Sequence, residues 1–183
     1  MKVTSILNLM KKSRCIELSE LSGKQWVSNG EAAYAIHCLP PLDEDQFCSI
    51  AGITEKAAKA MDINTDARWY DHYNDAFGDA QKFNPVERRT GLMYVTKGSV
   101  ITLFVSATDH IFIDTKYLKP LPDYDKADNL SFFIRKDSDG GRVLQVKAGL
   151  TSIAIISEWL PDEAFATDLG IAAGIVGEML AKE

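Results

Sequence analysis

The sequence predicts one α+β domain in which a helix followed by three antiparallel strands occurs twice. Three observations predict it. The chain of 183 residues has 46% hydrophobic and 25% charged residues, an ordinary globular balance with length for one core. Both ends show one element order, closed by Leu39-Pro40 in the first case and Leu160-Pro161 in the second. Asn29-Gly30 falls between two β-like runs, a strong short hairpin signal.

Taken in order, Val3, Ile6, Leu7 and Met10 recur at helical spacing, which predicts an amphipathic helix over 4–13 capped by Thr4 or Ser5. Three strands are expected next, over 14–18, 24–28 and 32–38, the first two separated by Ser22-Gly23. Asp43 and Glu44 suit a helix N-terminus, with Phe47, Ile50 and Ala51 as its apolar stripe. A further helical piece spans 54–61. Residues 62–90 mix aromatics with acids and predict a partly helical insertion. Strands are then expected over 91–96 and 99–107, joined by Lys97-Gly98, and over 111–114. Asp114 or Thr115 can cap a short helix running to Leu121, ended by Pro120 and Pro122. Strands over 130–136, 142–148 and 150–157 follow, with the turn 137–141 between the first two. Asp162 and Glu163 begin a C-terminal helix. The expected division is a first half at 1–61, an insertion at 62–90, a second half at 91–161 and a helix at 162–183. Repetition of this kind suggests two halves related by a pseudo-twofold axis, with short helices on one side of the sheet.

A net charge of −6 argues against general attraction to polyanions, so any such contact needs a local patch. Lys2, Lys11, Lys12 and Arg14 supply one, with no acid among the first fourteen residues. Cys15, Cys38 and Cys48 lack CxxC spacing, which suits reduced thiols in the cytoplasm. Lys11 and Lys12 interrupt any leader-like apolar run, and 169–180 is too short to span a bilayer, so no membrane partner is expected.

The run Asp114-Thr115-Lys116-Tyr117-Leu118-Lys119-Pro120-Leu121, followed by three strands ending near Pro161, resembles a half-domain of the DNA sliding clamps, including the bacterial polymerase III β subunit. Residues 5–14 with Gln25-Trp26-Val27-Ser28-Asn29-Gly30 resemble the other half, and also resemble small proteins of phages and mobile elements of Gram-positive bacteria. The resemblance covers roughly the first 40 and last 90 residues, and leaves the insertion without a counterpart. It implies a non-enzymatic module that contacts DNA or a replication protein through basic helices. Lys11, Lys12 and Arg14 would serve on or beside the first helix, and Lys116 and Lys119 on the second. Solvated helix faces are the plainer reading of the same lysines.

Two other functions stay open. A metal-dependent enzyme could use Asp71, His72 and Asp75 in the insertion, where spacing puts both aspartates on one helical face. A polar surface helix explains the same residues without metal, and no cofactor is expected. No partner is visible that would turn His37 and Cys38 into a nucleophilic pair, and Thr108-Asp109-His110 reads as a turn. Gly170, Gly174 and Gly177 would smooth one face of the last helix for close approach by the protein's own sheet or by a second subunit, so a purely structural or self-associating protein is the third reading. Packing is the expected role of Trp26, Trp69 and Trp159.

Overall fold

The computed structural model describes residues 2–161 except 22, 38, 66–83, 87, 97, 107 and 123–128, together with helical positions 170, 171, 174, 175 and 178. The chain is α+β. Helix α1 (Val3–Met10) leads into strands β1 (Cys15–Leu21), β2 (Lys24–Ser28) and β3 (Ala32–Ile36). Helices α2 (Glu44–Ala51) and α3 (Glu55–Ala58) follow, then β4 (Asp62–Asn64), β5 (Asn84–Pro85), β6 (Arg88–Thr96), β7 (Ser99–Val105) and β8 (His110–Asp114). A 3-10 turn (Thr115–Tyr117) precedes β9 (Leu130–Lys136), β10 (Arg142–Ala148) and β11 (Thr151–Ser157).

Local chemistry accounts for most boundaries. Asn29 Oδ1 accepts from the Glu31 and Ala32 N–H groups at 3.2 and 2.9 Å, and Gly30 supplies the φ of 83° that closes the β2–β3 hairpin. Asp43 and Gln46 form a reciprocal capping box at the start of α2, which ends at Gly52 with φ 61°. Asp137 Oδ1 accepts from the Asp139 and Gly141 N–H groups and folds the β9–β10 turn.

Several elements depart from expectation. The first helix starts at Val3 with Lys2 as N-cap and without a side-chain cap, because its entry is held by a tertiary bond from the Lys2 N–H to the Pro120 carbonyl at 2.8 Å. β1 runs on to Leu21, since Leu21 pairs with Lys24 across the tight turn. β3 ends at Ile36, leaving His37 outside it. The helix expected to reach Leu121 is a single 3-10 turn over 115–117, capped by Asp114 through the Lys116 N–H. Helix α3 stops at Ala58. β11 begins at Thr151, and Leu150 is 99% exposed at the turn. From the segment expected as an insertion, β4 pairs parallel to β1 and β5 pairs antiparallel to β9, forming the two edges of the large sheet.

That sheet has eight strands in the order β4-β1-β2-β3-β11-β10-β9-β5 and is antiparallel except at β1–β4. Two three-stranded meanders meet where β3 pairs with β11, through Tyr34↔Ala154, Ala33↔Ile155 and Ala32↔Ile156. The register lines up Leu18, Val27, Tyr34, Ala154, Val146 and Phe132 on one face, the inner one. Ser28, Ala33, Ile155 and Gln145 form the adjacent row on the outer face, each at most 1% exposed. Burial on both faces explains why β3 is apolar throughout instead of alternating.

The inner face is covered in two ways. Over the first meander lie α1, through Ile6, Leu7 and Met10, and α2, through Phe47 and Ala51. The same core takes in Phe104, Ile111 and Ile113 from a separate three-stranded sheet, β6-β7-β8, with the Phe104 ring 5.2 Å from Phe132 on β9. The other face of that small sheet presents Ile101, Leu103, Val105 and Phe112 to Trp159. Trp26 is buried on the large sheet's outer face, so both described tryptophans pack, while Trp69 lies outside the described residues.

A polar cavity and a divided basic surface

The five basic residues expected to face DNA do not form one array. Lys11, Lys12 and Arg14 follow α1 and are exposed, but a β-carbon on Gly52 would meet Lys11 Nζ at 3.2 Å. The Lys11 ammonium therefore lies over the C-terminus of α2, where unsatisfied carbonyls favour a cation. Lys116 is also engaged. Its Nζ lies 3.2 Å from Asp114 Oδ2, 3.9 Å from Glu31 Oε2 and 4.6 Å from the centre of the Tyr117 ring. Lys119 is exposed beside Pro120, whose carbonyl holds the start of α1. Lys119 thus sits by the start of α1, whereas Lys12 and Arg14 follow its end, eight helical residues further on. Lys116 alone lies on the 3-10 turn, and Lys119 follows it.

A cavity of about 300 Å³ opens where the 3-10 turn meets the exit of β11. Asp114, 4% exposed, forms part of its wall. Its carboxylate accepts from Ser99 Oγ at 2.9 Å and from the Lys116 N–H at 3.0 Å. Thr102 and Thr115 hydroxyls bond at 2.9 Å nearby. Below, the Tyr34 hydroxyl donates to the Tyr117 carbonyl at 2.7 Å, tying β3 to the 3-10 turn. Burial, with Asp114 adding to it, pushes the Tyr34 phenol well above its ordinary range, so it remains a donor.

Glu158 and Trp159 line the same cavity. The Trp159 N–H donates to the Phe112 carbonyl at 2.7 Å, and the Phe112 N–H donates to the Glu158 carboxylate, docking the exit of β11 onto β8. Arg142 braces this joint, with Nη2 2.8 Å from Asp109 Oδ1 and Nη1 3.4 Å from Glu158 Oε1. Burial raises the Glu158 carboxyl despite the opposing pull of Arg142 and the Phe112 N–H. His110 is shifted down, by burial first and by Arg142 next, with Asp109 opposing.

Sequence reasoning missed Asp109, Arg142 and Glu158 as a group. They sit in a turn, on β10 and after β11, so no local spacing announces them. It had offered Asp114 or Thr115 as the cap, and the structure uses Asp114. Asp71, His72, Asp75, Cys38 and Gly177 lie outside the described residues. Among the described residues no group of three or more His, Cys, Asp or Glu is placed to hold a metal. Cys15 and Cys48 have raised thiol pKa values, from burial first and nearby carboxylates second, which disfavours the thiolate. A β-carbon on Gly170 or Gly174 would meet nothing within 4 Å, and Ile171 and Ile175 are 60% and 55% exposed. The described face of the last helix is therefore not packed on the protein's own sheet. Among the described residues no helix is long and apolar enough to cross a membrane.

Comparison with protein-family models, with curated proteins and with solved structures finds no match to this chain. What the fold and site define is a class by architecture: an α+β chain built on a large, mostly antiparallel sheet with few short helices.

Proposed function

We propose that this chain is a clamp-like, non-enzymatic binding module that contacts DNA through the ends of its helical elements. The observation that carries the reading is the β3–β11 join, which sets two three-stranded meanders side by side in one sheet. An approximate twofold normal to the sheet would relate them, with α1 and the 3-10 turn preceding the first strand of each.

Lys12, Arg14 and Lys119 are the residues assigned to phosphate contact, while Lys11 and Lys116 have structural roles. The test is retention of duplex DNA as salt is varied. About three neutralised phosphates predict a slope near −3 in a plot of log K against log salt. A Lys12→Glu, Arg14→Glu, Lys119→Glu variant should lose retention, and Lys11→Gln should keep it. Absence of binding at low salt, or indifference to the triple change, would falsify the DNA reading.

A further inference from the structure

We infer that the cavity beside the 3-10 turn is a binding site for a small organic ammonium, such as a linear diamine. Three carboxylate residues, Glu31, Asp114 and Glu158, line it against one ammonium, that of Lys116, leaving a formal charge of −2 on the wall. About 300 Å³ is at the lower end of the range for small-molecule sites.

The structure already holds an ammonium there. Lys116 Nζ takes Asp114 at 3.2 Å, Glu31 at 3.9 Å and the face of Tyr117 at 4.6 Å, the combination of carboxylate and ring that binds alkylammonium groups. Its side chain is the tethered occupant of one end. Glu158 and Trp159 also line the cavity, and there Arg142 must serve Asp109 as well as Glu158. One guanidinium facing two carboxylates leaves unbalanced negative charge for a second cation.

The anions are fixed before any ligand arrives. Asp114 is held by Ser99 and a backbone N–H, and Glu158 by Arg142 and the Phe112 N–H, so little ordering remains to oppose binding. A metal ion is the poorer fit, because these carboxylates are not grouped as a ligand set among the described residues. An alkylammonium tolerates the spread, since each of its ends needs only one or two anions and an aromatic face.

The inference stands apart from the DNA reading, which uses neither Lys116 nor the carboxylates. The experiment is calorimetric titration of the full chain with 1,4-diaminobutane at low ionic strength, with butan-1-ol and magnesium chloride as comparison ligands. Saturable one-to-one binding is expected for the diamine alone. Glu31→Gln, whose side chain is 63% exposed and safe for folding, should weaken it several-fold. Lys116→Met removes the internal competitor and should tighten it by about tenfold, the size of one added charge contact near a protein surface. No saturable binding to the wild type and to Lys116→Met overturns the inference. So does equal binding of magnesium, or an affinity that neither substitution changes.

Discussion

The two meanders of the large sheet are alike in strand order and unlike in what covers them. The first is roofed by α1 and α2, short helices whose Ile6, Met10 and Phe47 reach the core. The second is roofed by the β6-β7-β8 sheet, with Phe104 seated near Phe132, and by the residues around the 3-10 turn. Helical cover is made of local hydrogen bonds. Sheet cover depends on pairings such as β7 with β8 and on docking at Trp159. The difference places the polar cavity: it lies where sheet cover gives way to the turn.

The largest test of that contrast is Phe104→Ala. Phe104 is fully buried between the two sheets, and truncation should cost about 3–5 kcal/mol in urea unfolding, as for other buried aromatics. Native-state hydrogen exchange on the same variant should show β7 and β8 losing protection before α1. Equal loss in both halves would mean that the two roofs behave as one unit.

A smaller effect probes the link between halves. Tyr34→Phe removes the hydroxyl that reaches the Tyr117 carbonyl and should cost about 1–2 kcal/mol, because it strands a buried acceptor. Its signature is faster amide exchange at Leu118, whose N–H closes the 3-10 turn on Thr115.

The smallest effect is a pH dependence on the second half. His110 is shifted below its ordinary value in the folded chain, so the unfolded chain binds its proton more readily and stability falls as pH drops below about 6.5. Glu158 is shifted up and works the other way, regaining stability at lower pH as its carboxylate is neutralised. His37 is also shifted down, by burial first and then by Lys24 and the N-terminus, but its side chain is exposed after β3. Urea unfolding between pH 7.5 and 5.5 should therefore show a shallower pH slope for His110→Gln than for the wild type; an unchanged slope would remove His110 from the account.

How much of this was legible in sequence follows from the range of each interaction. The β2–β3 turn was, because Asn29 and Gly30 carry the whole instruction. So was α2, from Asp43 and Glu44 at its start and Phe47 and Ala51 on its buried face, although Ile50, expected on the same stripe, is 49% exposed. That two sets of strands share one core was expected from the repeated element order, but the β3–β11 pairing was not legible, since Tyr34 and Ala154 carry no mark of each other. The separate three-stranded sheet was not foreseen. Its strands were visible, but Thr102, Phe104, Ile111 and Ile113 resemble any half-buried pair. The basic residues were visible but their surroundings were not: nothing near Lys11 in the chain announces the α2 carbonyls, and Glu31 is remote from Lys116.

Only three residue pairs join the two meanders, against five between β1 and β2 and seven between β9 and β10. One flanking bond, from the Ser157 N–H to the Glu31 carbonyl, adds to them. The edge strands β4 and β5 are held by three and two pairs, but between the inner strands, where β2–β3 has four pairs and β10–β11 six, this seam is the line of least resistance. Under load applied across the six inner strands it would part first, leaving each meander with its own roof.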